Sequence, residues 1–145
     1  MHELPHHYKV EASAGPDGEA TLSGDRLDTI PSASPVEFGG PGDRWSPETL
    51  LVAAVAGCFI LSFRAIARAS KLSWMSLKCE VDGTLERVEG TIKFTRFVVH
   101  ATLDVPQDTD EERAHRLLEK AERSCLVTNS LSGETQLDAK VQKAP

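Results

Sequence analysis

The chemistry this chain can do rests on a few thiol, carboxylate and guanidinium groups. Cys58 sits inside the run Ser46-Pro47-Glu48-Thr49-Leu50-Leu51-Val52-Ala53-Ala54-Val55-Ala56-Gly57-Cys58-Phe59, and Cys125 closes the second helical stretch. A cysteine is a nucleophile only as thiolate, which needs its pKa lowered from about 8.5 by a nearby positive charge or dipole. The sequence places neither Cys58 nor Cys125 at a helix N-terminus, and burial without a partner raises a thiol pKa. Taken singly, each cysteine reads as a small apolar core residue. Taken as two thiols on helices that pack together, they read as a redox pair. Glu48 also has two readings, as a helix-dipole residue or as a carboxylate working beside a reactive cysteine. Ten residues of helix, about 15 Å, separate it from Cys58. In the second reading it therefore reaches a thiol through the folding of the chain or through a second subunit.

Other candidates are weaker. Cys79 alternates with Lys78 and Glu80 on the apolar face of a strand, the pattern of a packing residue. His2, His6 and His7 cluster near the start with no cysteine or acidic residue at metal-ligand spacing, so no metal is expected and residues 1–7 read as a flexible tail. His100 is a lone strand histidine on a polar face, and His115 lies on the second helix. Trp45 and Trp74 bracket the first helix as packing residues, with Trp45 an alternative wall for an apolar pocket. There is no glycine-rich phosphate loop and no Ser-His-Asp elbow, and no cofactor is expected.

These groups must be held by a single domain spanning 1–145, since 145 residues suffice for one core. A net charge of -6 argues against a nucleic-acid surface. Three cysteines are too few and too unpaired for a disulfide-stapled secreted domain. The first residues lack the basic and apolar regions of a secretory signal. The apolar stretch Leu50–Leu61 is shorter than the roughly 20 residues a bilayer requires. The expectation is a cytoplasmic protein that does not engage a membrane.

The pattern predicts an α+β fold, with antiparallel sheets packed around a long central helix bearing Cys58. Tyr8–Ala12, Ala20–Leu22 and Arg26–Ile30 read as a strand meander, with turns at Gly15-Pro16-Asp17-Gly18 and Gly24-Asp25. Pro31–Gly42 reads as a loop. Ser46 is a good N-cap, Pro47 suits the first helical position and Glu48 suits the positive end of the dipole. Apolar residues then run all round the helix to Ser62, which predicts burial on every side. The small Ala53, Ala54, Ala56 and Gly57 let another backbone come close, and Arg64, Arg68 and Lys71 form a polar face near its end. Residues 76–104 read as a long hairpin turning at Arg87–Gly90, with Phe97, Val99, Ala101 and Leu103 on one face. Pro106 ends it. Thr109 and Glu112 predict a capping box for the second helix. Its apolar stripe is Ala114, Leu117, Leu118 and Ala121, and Cys125 continues it at the same phase. Thr135–Val141 reads as the last strand.

The Ser46–Phe59 run resembles the signature helix of the OsmC/Ohr family, the osmotically inducible and organic hydroperoxide resistance proteins. The segment Ser124-Cys125-Leu126-Val127-Thr128-Asn129-Ser130-Leu131 is similar to that family's second cysteine motif, and the order of elements agrees from about Tyr8 to Val141. The resemblance implies an OsmC-like fold in an intertwined homodimer, with active sites at the subunit interface. It implies a thiol-dependent peroxidase for organic hydroperoxides in stress defence, with Cys58 the attacking thiol and Cys125 the resolving thiol. A dithiol reductant, a lipoyl group in this family, would restore both. Glu48 would orient a donor at the interface, Arg44 being the candidate, while Leu51, Val55 and Phe59 would favour alkyl hydroperoxides.

Two positions depart from the family pattern. Its hydroperoxide resistance branch carries an arginine in the N-terminal hairpin turn. Here Ala14-Gly15-Pro16-Asp17-Gly18 has none, and Arg26 and Arg44 are the nearest. The proline after the second cysteine is replaced by Leu126. The missing arginine keeps open a non-catalytic stress or small-ligand-binding protein. A cysteine-dependent transferase or thioesterase would instead need a histidine base, from His100 or His115.

Overall fold

The computed structural model describes residues 2–145, and the chain divides into two compact units, the first reaching Leu50 and the second running from Leu51 to Pro145. In the first, β1 (Glu11–Ser13), β2 (Ala20–Ser23) and β3 (Ile30–Ser32) form an antiparallel meander in that order. The third strand starts four residues later than the pattern predicts. Arg26 takes a left-handed φ of 62° inside the β2–β3 turn, which an extended strand cannot accommodate. The following loop contains a 3-10 turn over Val36–Phe38 and closes where the Ala33 amide donates to the Trp45 carbonyl at 2.9 Å. Gly40 is required there, because a Cβ would lie 1.6 Å from the Ser34 carbonyl oxygen.

Helix α1 (Pro47–Ala69) begins as the sequence indicates. The Ser46 hydroxyl accepts from the Thr49 amide at 3.1 Å, and the Thr49 hydroxyl accepts from the Ser46 amide at 2.8 Å, a reciprocal cap. The helix ends in a Schellman turn. Lys71 takes a φ of 57°, and the Leu72 amide donates to Ala67 while that of Lys71 donates to Arg68. At 23 residues, with a mean hydropathy of 2.2 over its most apolar window, α1 is long and apolar enough to cross a bilayer by length and composition. That corrects the shorter limit drawn from Leu50–Leu61 alone. Burial is also one-sided rather than all round. Val55, Phe59, Phe63 and Ala67 are buried at four-residue spacing, whereas Ala54, Gly57 and Leu61 are exposed.

In the second unit, β4 (Ser76–Val88) and β5 (Thr91–Val105) form the long hairpin. Its two-residue turn, Glu89 at φ 50° and Gly90 at φ 82°, has the left-handed pair that matches strand twist. Strand β6 (Glu134–Lys143) pairs with β5 in parallel, giving the order β4-β5-β6. All-antiparallel sheets were expected. The crossover through α2 (Glu111–Arg123) and the single-turn α3 (Leu126–Asn129) is what allows a parallel return. The cap of α2 is Asp110, whose carboxylate accepts from the Arg113 amide at 3.2 Å, rather than Thr109. Arg113 donates to the Ser70 carbonyl at the end of α1. Central β5 supplies the core with Phe97, Val99, Ala101, Leu103 and Val105, which meet the α1 stripe and Ala114, Leu118 and Ala121 of α2.

Candidate active site

Cys58 lies at the middle of α1, partly exposed, with its Sγ 3.9 Å from the Ser62 hydroxyl one turn further on. Cys125 is 2% exposed, so the inward direction read from the α2 stripe is correct. Its place within α2 is not. The Asn129 side chain donates to the Arg123 carbonyl at 3.1 Å, and the Cys125 amide turns back to Glu122 at 3.3 Å, ending α2 at Arg123. Cys125 becomes the N-cap of α3, its carbonyl accepting from the Asn129 amide and the Thr128 hydroxyl. The first amides of a helix have no acceptor within it. Here those of Leu126 and Val127 act on the Cys58 sulfur.

This arrangement separates the two thiols. Burial raises the Cys58 pKa, but the Val127 amide, the Cys125 side chain, the Ser62 hydroxyl and the Leu126 amide outweigh it, so the net shift is downward. Cys125 moves the other way. Burial dominates, the Thr128 hydroxyl and amide oppose it, and neighbouring Cys58 adds to the rise. Cys79 is pushed up to about 11 by burial first, then by charge on Cys125 and Glu80. One thiol of the pair is thus poised to ionise while its neighbour keeps a proton to donate. All three cysteines are free.

Of the remaining candidates, Arg26, Arg44 and Glu48 belong to the first unit. Arg44 donates to Glu19 at 2.8 Å and faces Asp43 at 3.6 Å, so within this chain it is engaged away from Glu48. One carboxylate oxygen of Glu48, Oε1, is buried with no hydrogen-bond partner among the described residues. Arg26 is exposed in its turn. Val55 and Phe59 are buried in the core of the second unit and do not line an opening, because the four-residue stripe turns them towards the sheet. Trp45 is 52% exposed rather than packed. His100 is held by Asp82 at 3.0 Å and Asp138 at 3.1 Å, which occupies both ring nitrogens and removes it as a base for Cys58. The sequence reading missed Ser62 and the two α3 amides. The four-residue spacing from Cys58 to Ser62 was a usable signal, whereas the amides became visible only once α2 was seen to stop early.

This chain is similar to known proteins by family model, by sequence and by fold. The family model described as OsmC-like protein matches residues 40–140. An organic hydroperoxide resistance protein of Xanthomonas axonopodis pv. citri is 31% identical over 125 residues, covering 84% of each chain. The protein YmaD of Bacillus subtilis is 28% identical over 94% of this chain and 95% of its own. An OsmC-like protein of Vibrio cholerae superposes with a TM-score of 0.85 at 16% identity, covering 93% of this chain and 99% of the other. With both cysteine motifs, the order of elements and this match in agreement, the chain belongs to the OsmC-like protein family.

Proposed function

We propose that the protein is a thiol-dependent peroxidase acting on organic hydroperoxides in stress defence. The carrying observation is the placement of two free thiols, Cys58 partly exposed in mid-α1 against the Ser62 hydroxyl and Cys125 buried at the cap of α3, which favours ionisation of Cys58 over Cys125. The Cys58 thiolate attacks the terminal oxygen of ROOH. The O–O bond breaks, the alkoxide takes a proton to leave as an alcohol, and Cys58 becomes a sulfenic acid. The Cys125 sulfur then attacks the Cys58 sulfur, water leaves, and a disulfide forms. A small dithiol, such as a lipoyl group carried on a partner protein, reduces it by thiol–disulfide exchange. Leu126, 69% exposed beside Cys125, suits an apolar substrate. The name of the Xanthomonas relative supports the same substrate class.

The working form on this reading is a homodimer in the cytoplasm. The exposed apolar face of α1 and the unpartnered Glu48 oxygen support a second subunit. There Glu48 orients a donor towards a thiolate, with Arg44 the candidate cation once it is released from Glu19. A non-catalytic ligand-binding protein is the competing reading, favoured by the arginine-free β1–β2 turn and by the engagement of Arg44 with Glu19. Brief treatment with cumene hydroperoxide followed by peptide mass mapping separates them. A Cys58–Cys125 disulfide, absent in Cys58→Ser together with a loss of turnover of about a hundredfold or more, is the expected result. Thiols left unreacted by the peroxide would assign the protein to the binding class.

A further inference from the structure

A serine inside a helix ordinarily turns its hydroxyl back to the carbonyl three or four residues earlier. Three hydroxyls among the described residues do so: Ser130 donates to the Leu126 carbonyl at 2.7 Å, Thr128 to that of Cys125 at 3.1 Å, and Thr49 to that of Ser46 at 3.2 Å. Ser62 differs, its partner being the Cys58 sulfur at 3.9 Å on the same face of α1. A thiolate has no proton, so once Cys58 ionises the hydroxyl is the only possible donor of that pair. Ser62 is half-buried, which shelters the contact from competing water.

We propose that Ser62 is a positioning residue for the Cys58 nucleophile, its hydroxyl donating to the thiolate sulfur and holding it ionised and oriented. This rests on Cys58 being the reactive thiol and adds a side-chain donor on the same helix. The other ionisable group acting on Cys58 is the Cys125 thiol, and the remaining donors are the Leu126 and Val127 amides.

The test is peptide-resolved iodoacetamide alkylation against pH in the full chain, comparing wild type, Ser62→Ala and Ser62→Thr. Alanine is the better helix former, so α1 keeps its fold. Ser62→Ala should move the Cys58 midpoint up by about half a pH unit or more, about threefold less thiolate below the midpoint. Ser62→Thr keeps a hydroxyl and should recover most of that change, while the Cys79 midpoint stays in place as an internal control. An unmoved Cys58 midpoint in Ser62→Ala overturns the proposal, as does a threonine variant that behaves like alanine. Peroxide turnover is read separately. A midpoint shift in a protein that consumes no cumene hydroperoxide upholds the role of Ser62 and removes the peroxidase reading. Undiminished turnover with no shift does the reverse.

Discussion

A thiol deep in an apolar helix ionises only if something replaces the water it has lost, and at Cys58 the replacements are dipoles. The Val127 and Leu126 amides, the Ser62 hydroxyl and the Cys125 thiol together outweigh burial, with no cation among them. Leu126 matters here for a backbone reason. A proline, which the family pattern places at this position, has no N–H, whereas leucine adds a donor. Alkylation followed at each cysteine across pH should therefore find Cys58 reacting first as pH rises, Cys125 later, and Cys79 last, near its pKa of about 11. Leu126→Pro suits the first position of α3 and should leave the fold intact while moving the Cys58 midpoint towards that of Cys125. Simultaneous reaction of Cys58 and Cys125 in the wild type would contradict this account. Residue type and motif were enough to name Cys58 and Cys125 as candidates. Their donors were not legible, because an amide dipole has no sequence letter and its direction depends on where α2 stops.

At the scale of elements, most boundaries follow from local chemistry. The Ser46-Pro47-Glu48 start, the Glu89-Gly90 turn and the alternation from Phe97 to Leu103 each carry their own signal. What the sequence could not supply is register. Asp82, His100 and Asp138 lie on three different strands, and only the β4-β5-β6 pairing brings them together, with Glu80 and Lys140 in the same recess. There His100 is bound on both nitrogens, and its pKa is raised by Asp138 first and then by Asp82, against some desolvation. A histidine whose folded pKa exceeds its unfolded value of 6.5 adds stability that is complete below 6.5 and is lost as pH rises through the folded value. His100→Gln should therefore lower Tm more at about pH 5.5 than at about pH 8.5. Because the pair is at the surface, added salt should shrink the difference. An equal Tm deficit at both pH values would show that the carboxylates do not clamp the sheet through charge.

At the scale of the whole molecule, α1 presents a problem that one chain does not solve. Its stripe from Val55 to Ala67 is buried, yet Ala54, Gly57 and Leu61 face outward, Leu61 being 57% exposed. A contiguous apolar face of this kind marks a contact surface. Gly57 has no neighbouring atom within 4 Å of where a Cβ would stand, so a second helix backbone can approach there. The same helix begins with a glutamate whose buried oxygen lacks a partner among the described residues. A second copy would cover the face and supply the missing donor together. A bilayer would cover the face but leave the carboxylate unsatisfied, at a cost of several kcal/mol. Light scattering in detergent-free buffer should therefore give twice the 15.8 kDa of one chain. Leu61→Glu places a charge at the centre of that face, away from the buried stripe, and should shift the mass to a single chain at micromolar concentration with the far-UV spectrum unchanged. If Glu48 works across the interface, peroxide turnover should fall in parallel with dimer loss and return as protein concentration rises. A wild-type protein that scatters as a single chain, or that stays dispersed only in detergent, would remove the second subunit from the site and leave Cys58 dependent on the dipoles of its own chain.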